Sequence, residues 1–179
     1  MPKKVRYMDL ANDCKKLLYL VSLYTGDENG KEKWIKNYAL WSLIYHGIVE
    51  KVFEDYDYTP VLVIWYGKLR VANISMEAEA HLFKLRNLNL INKLRLATSK
   101  YRYITAYKIT RKGREFVENI EKELRNSVDQ VFNPPGVGVP DIVIDSKGNP
   151  VLVYSNGEKV EIKILYPEDV AYVSRPIFL

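Results

Sequence analysis

The sequence predicts an α+β fold, and three observations carry that reading. Apolar residues recur at steps of three and four between Met8 and Tyr24 and again after Thr110. β-Branched and aromatic runs flank short polar or Gly-containing turns at 58–74 and 93–110. After Pro134-Pro135, strand and turn signals alternate as far as Leu165, and the tail beyond has no regular pattern. A chain of 179 residues with 47% apolar content can bury one sizeable core with a small satellite. The expected division is a main domain at 1–132, a Pro/Gly linker at 133–140, and a small β-meander and tail at 141–179.

Taken in order, Leu10, Cys14, Leu17, Val21 and Tyr24 form one helical stripe and predict helix 1. GDENGKEK (26–33) reads as a loop. WIKNYALWSLIYHG (34–47) reads as a second helix closed by Gly47, with Trp34 and Trp41 as core anchors. An acidic, aromatic stretch follows at 49–60. The unbroken run Val61 to Tyr66, a Gly67-Lys68 turn and the return to Ile74 predict a hairpin buried on both faces. Ser75 caps a third helix whose Ala78, Leu82 and Leu85 face inward, leaving His81, Lys84 and Asn87 toward solvent. A second hairpin spans about 93–110. On its return strand Tyr101, Tyr103, Thr105 and Tyr107 share one face, and Arg102, Ile104, Ala106 and Lys108 share the other. Thr110 caps a fourth helix, 111–132, along which Val117, Ile120, Leu124, Val128 and Val131 repeat, with Gly113 standing where a capping-box glutamate would. In the meander, Asn156-Gly157 marks a turn and Val160, Ile162 and Ile164 alternate with charged residues.

Composition excludes several chemistries. With Cys14 the only cysteine and His46 and His81 the only histidines, a disulfide framework, a zinc site and a histidine-based triad all lack parts. The carboxylates of Glu54, Asp55 and Asp57, and of Asp141 and Asp145, have neither metal-ligand spacing nor a neighbouring base. No enzyme activity, cofactor or metal is therefore expected. No run of 18 uncharged apolar residues occurs, and MPKKVRYMDL has no apolar segment behind its basic cluster, so a soluble cytoplasmic chain without membrane partners is expected.

The charge is segregated along the chain. Residues 1–79 hold eleven basic and eleven acidic groups, residues 80–114 hold ten basic and no acidic group, and residues 115–179 hold six basic against eleven acidic. Such a segment makes a local positive field whose natural partner is a polyanion.

LFKLRNLNLIN (82–92) followed by YITAYKITRKGREFVENI (103–120) resembles the L-x-x-L-x-x-x-G-L-I, basic hairpin, Y-x-I-T-x-K-G-R-E-F ending of many archaeal and bacterial winged helix-turn-helix regulators. The resemblance covers about residues 7–130. It implies a winged-helix core of four helices with a basic β-hairpin wing, and a regulator or chromosome-associated factor that binds double-stranded DNA. The hairpin at 58–74 is an insertion relative to that pattern, and Glu77 and Glu79 place acid at the start of the helix that would approach bases. The candidate nucleic-acid-binding residues are Lys84, Arg86, Lys93, Arg95, Lys100, Tyr101, Arg102, Tyr103, Arg111 and Lys112, with His81 and Asn87, and His81, Lys84 and Asn87 are the expected base readers. Arg111 and Lys112 sit at a helix N-terminus, which itself favours anions. RNA or a single strand, stacked on the tyrosines, is an alternative ligand, and a winged-helix protein-interaction module in a larger complex is an alternative function. The apolar seams of helix 1 and helix 111–132 suit a homodimer.

Overall fold

Helix α1 (Asn12–Tyr24) is the centre of the molecule. Leu17, Leu18, Leu20 and Val21 are fully buried, and Asn12 is the one exposed residue of the helix. α1 packs against three later helices, α3 (Met76–Asn87), α4 (Arg111–Val117) and α5 (Lys122–Phe132). The computed structural model describes residues 10–97, 99, 104–164 and 177–178. Over these the fold is mixed α+β, with five helices and several small sheets. No described helix is long and apolar enough to cross a membrane.

Burying α1 on all sides brings a charged pair inside. Lys16 lies 3.3 Å from Asp13 and donates to the Val52 carbonyl at 2.7 Å, while Asp13 accepts the Asp55 amide at 2.7 Å. Each buried charge thus has hydrogen-bond partners, as interior ions require. The pair also pins the 50–57 stretch to α1. That stretch buries Val52, Phe53 and Tyr56 and exposes Glu54, Asp55 and Asp57. Cys14 is fully buried, and desolvation pushes its thiol up to about 11, which suits a packing residue rather than a nucleophile.

The segment read as a loop at 26–33 is a hairpin, β1 (Gly26–Glu28) and β2 (Lys31–Lys33). Asn29 and Gly30 form its turn at φ 52° and 73°, the positive angles that a two-residue turn needs. The next two residues, β3 (Ile35–Lys36), form a strand instead of starting the second helix. α2 runs Asn37–Val49. Gly47 does not end α2. Lys51 takes the left-handed conformation (φ 60°) and the Val52 amide returns to the Gly47 carbonyl at 2.8 Å. Gly47 serves packing, since a Cβ there would fall 2.6 Å from the Phe53 ring.

The inserted hairpin comprises β4 (Thr59–Trp65) and β5 (Lys68–Ile74), its turn at Tyr66-Gly67, one residue earlier than expected. It holds a second apolar cluster in which Val63, Trp65 and Ile74 meet Tyr38 and Trp41 of α2. Trp41 is thus a core anchor. Trp34 is not: half-exposed, it donates its indole N–H to Glu32 at 3.0 Å. α3 begins as its sequence predicts, with Ser75 accepting the Ala78 amide at 3.2 Å and Ala78, Leu82 and Leu85 buried. Asn89, at φ 58°, ends it.

β6 (Ile91–Leu96) and β7 (Ile104–Ile109) pair antiparallel, and β3 adds to the other edge of β7, giving the order β3-β7-β6. As the central strand, β7 is covered on both faces from Thr105 to Ile109.

The single helix expected at 111–132 is two. α4 stops at Val117 and α5 starts at Lys122, with Glu121 extended (ψ 135°) between them. The stripe survives the break because both pieces face one core: Val117, Ile120, Val128 and Phe132 are buried in it, with Leu124 and Val131 packed against it. This seam and that of α1 both pack into the chain's own core.

The linker carries no helix, and the meander follows as β8 (Asp141–Ile144), β9 (Pro150–Val153) and β10 (Lys159–Glu161). Three strands alone are marginal. These join the main core through Leu152 and Ile162. β11 (Ile177–Phe178) pairs parallel with β4.

Candidate nucleic-acid interface

Six exposed cations lie on three elements, Lys84 and Arg86 at the C-terminal end of α3, Lys93 and Arg95 on β6, and Arg111 and Lys112 at the start of α4, and a seventh exposed cation, Arg114, lies further along α4. Asn87 is exposed beside them. These elements meet at residues 88–90. Thr110 donates its hydroxyl to the Asn89 carbonyl (2.7 Å) and its amide to the Leu90 carbonyl (3.0 Å), which seats the start of α4 on the end of α3. The backbone thus brings the start of α4, with Arg111 and Lys112, against the end of α3 that carries Lys84 and Arg86.

Two cations are engaged with other elements, Lys108 in the interior and Arg114 from an exposed position. Lys108 is buried and donates to Glu32 (2.9 Å) and Asp27 (3.1 Å), both on the β1–β2 hairpin. The β1–β2 hairpin thus covers this end of β7. Arg114 donates to the Ser22 and Thr25 carbonyls at 3.2 and 2.8 Å, closing the C-terminal end of α1, where a cation also suits the helix dipole. Lys100, Tyr101, Arg102 and Tyr103 lie outside the described residues.

The α4 start is less of an anion site than expected. The helix has seven residues, its Gly113 amide is taken by Thr110 Oγ1 at 2.9 Å, Arg111 pairs with Glu115 at 3.2 Å, and Lys112 donates to the Leu88 carbonyl at 2.8 Å. Lys112 thereby serves the end of α3 as well as the surface field.

His81 does not face solvent as expected. It is half-buried, with Nδ1 2.7 Å from the Tyr56 hydroxyl. Desolvation holds its pKa below the ordinary value, with the Lys84 ammonium adding to the effect and Asp13, Asp55 and Glu77 opposing it. His46, edge-on to Phe132, is lowered by burial as well. For both groups the unfolded chain binds a proton more readily than the folded one. Stability therefore falls as pH drops through the ordinary imidazole value near 6.5 and below. The urea midpoint of the protein is expected to decline between about pH 7 and pH 5. A His46→Leu/His81→Gln variant should show a shallower decline, and an equal slope would contradict these environments.

Glu79, expected to repel phosphates, is half-buried and accepts the Trp41 indole N–H. Burial raises its pKa, the Trp41 bond and Lys93 opposing. Of the two helix-start acids, Glu77 alone stays exposed, tied to Ser75 and to the Asp57 amide. α3 is thus acidic at its first turn and basic at its last. Sequence reasoning missed Met76 and Phe83, 69% and 62% exposed on the outer side of α3. Their signal was present, since both fall off the Ala78, Leu82, Leu85 stripe.

No curated protein and no solved structure matches this chain. The sequence does match the Uncharacterized protein MJ1567 family over residues 13–172, and the chain belongs to that family.

Proposed function

We propose that the protein binds double-stranded DNA as a winged-helix protein, with β6–β7 as its wing, and acts as a transcriptional regulator or chromosome-associated factor. The observation that carries this reading is the run of six exposed cations across α3, β6 and α4 with no acidic residue between positions 80 and 114. The topology supports it. A helix, a short strand, a second helix, a third helix and a hairpin, with the short strand completing the sheet beside the hairpin's second strand, resembles the winged-helix arrangement, with the β1–β2 hairpin added before the short strand and the β4–β5 hairpin before the third helix. In this reading the cations hold phosphates, which position the protein. Asn87 reads a base edge and Phe83 offers apolar surface to a thymine methyl.

The test is fluorescence anisotropy of a labelled duplex across a salt series. With about five phosphates neutralised, the log–log slope is expected at about −4 to −5. A slope near zero would remove the reading. The exposed Met76 and Phe83 favour a second reading, a protein-interaction scaffold, since charge is depleted and aromatic and methionine side chains are enriched at interface cores. Phe83→Asp would then abolish partner capture while leaving duplex affinity unchanged.

A further inference from the structure

We propose that the cleft between the inserted hairpin and β8 is a binding site for a free nucleoside phosphate. The cleft encloses about 920 Å³, within the size range of small-molecule sites. Its walls come from distant parts of the chain: residues 33–36, the β4–β5 turn region, and Asp141 to Asp145 of β8 and its turn, with Tyr24 of α1 and Ala39 of α2 also lining it.

The lining carries both charges: Lys33, Lys36, Lys68 and Arg70, the last held on the β8–β9 turn, and Asp141 and Asp145 on β8 and its turn. A bare anion would leave the carboxylates facing it, and a neutral ring would leave the cations unused. A nucleoside phosphate carries both complements, its phosphates for the ammonium groups and its ribose or amino hydrogens for the carboxylates. Aromatic surface also lines the cleft: half-exposed Trp34 and Tyr66, with Trp65 beside Tyr66 at 4.7 Å between ring centres.

Two groups point to a built site. Tyr24 is 4% exposed and lines the cleft, and its hydroxyl has no hydrogen-bond partner among the described residues, a state that buried polar atoms rarely keep. Burial raises its pKa, so the phenol stays neutral and can both donate and accept. Arg70 is fixed before any ligand arrives. It donates to the Lys147 carbonyl at 3.0 Å and lies over Gly148, where a Cβ would fall 1.2 Å from the guanidinium.

None of these residues belongs to the six-cation surface, so the site stands or falls separately from DNA binding. Trp34 and Trp65 are two of the three tryptophans, which makes intrinsic fluorescence a direct reporter. Titrating the full chain with ATP is expected to give saturable quenching with a Kd below about 1 mM, adenosine and tripolyphosphate each binding at least about tenfold more weakly. Lys68→Glu should weaken ATP about tenfold or more. Tyr24→Phe should melt no lower than the parent without ligand, yet gain a smaller thermal shift from ATP. Four results would overturn the proposal: no saturable quenching, tripolyphosphate binding as well as ATP, a hexanucleotide binding more tightly than ATP, or Lys68→Glu and Tyr24→Phe both retaining parental affinity.

Discussion

Neutralising three exposed cations together, Lys84→Gln, Arg86→Gln and Lys93→Gln, is expected to weaken duplex binding roughly 500-fold at about 0.1 M salt, because each phosphate left without its cation takes about 0.9 from the log–log salt slope. The slope itself should fall by about 2.7, and the affinity loss corresponds to about 3.7 kcal/mol. Glutamine deletes the charge without adding repulsion, so the change reports phosphate neutralisation alone. All three side chains are exposed, and the melting temperature should barely move. Lys108→Gln is the matched control. It removes the same unit charge, but from a buried ammonium held by Asp27 and Glu32. It should lower stability modestly, through loss of the two ion pairs that the buried ammonium makes to exposed Asp27 and Glu32, and leave the salt slope in place. An unchanged slope in the triple variant would end the DNA-binding reading, whatever the fold.

Local signals carried much of the architecture. Ser75 with Ala78, Leu82 and Leu85 defines α3 within one short window, and the structure has that cap and those three residues inside. The hairpin near 59–74 and the meander were legible for the same reason, since runs of β-branched residues bounded by turns need no distant partner to be recognised. β3 was not legible. Ile35 and Lys36 become a strand only because β7 offers them an edge some seventy positions later. The break at 118–121 was hidden for a different reason, because two short helices facing one core preserve the same three-four spacing that one long helix would show.

The candidate site divides along the same line. Exposure of Lys84, Arg86, Lys93 and Arg95 followed from local pattern. The fates of Lys108, Arg114 and His81 depended on Asp27 and Glu32, on the end of α1, and on Tyr56, which no local window contains. The β1–β2 hairpin is an intermediate case. Asn29-Gly30 is a strong turn signal, but its flanks lack apolar alternation, and the strands mattered chiefly for the two acids they deliver to Lys108.

Gly113→Ala is expected to destabilise the protein by about 3 kcal/mol, lowering the melting temperature by roughly 6–12 °C. Helix propensity alone gives the opposite sign, since alanine inside a helix is favoured over glycine by about 1 kcal/mol. Packing decides the outcome. A Cβ at Gly113 would lie 2.1 Å from the Leu90 carbonyl oxygen and 2.8 Å from Ile109 Cγ1. The first obstacle is backbone at the end of α3 and cannot swing aside as a side chain would. α4 would have to withdraw, pulling Thr110 from the Asn89 and Leu90 carbonyls, which are also its hold on α3. The same withdrawal would carry Arg111 and Lys112 away from Lys84 and Arg86, so duplex affinity should fall together with stability. Urea denaturation and anisotropy on one preparation measure both. If the alanine variant proved more stable than the parent, the close approach of α4 to Leu90 would be wrong, and with it the account of how Arg111 and Lys112 come to lie against the end of α3.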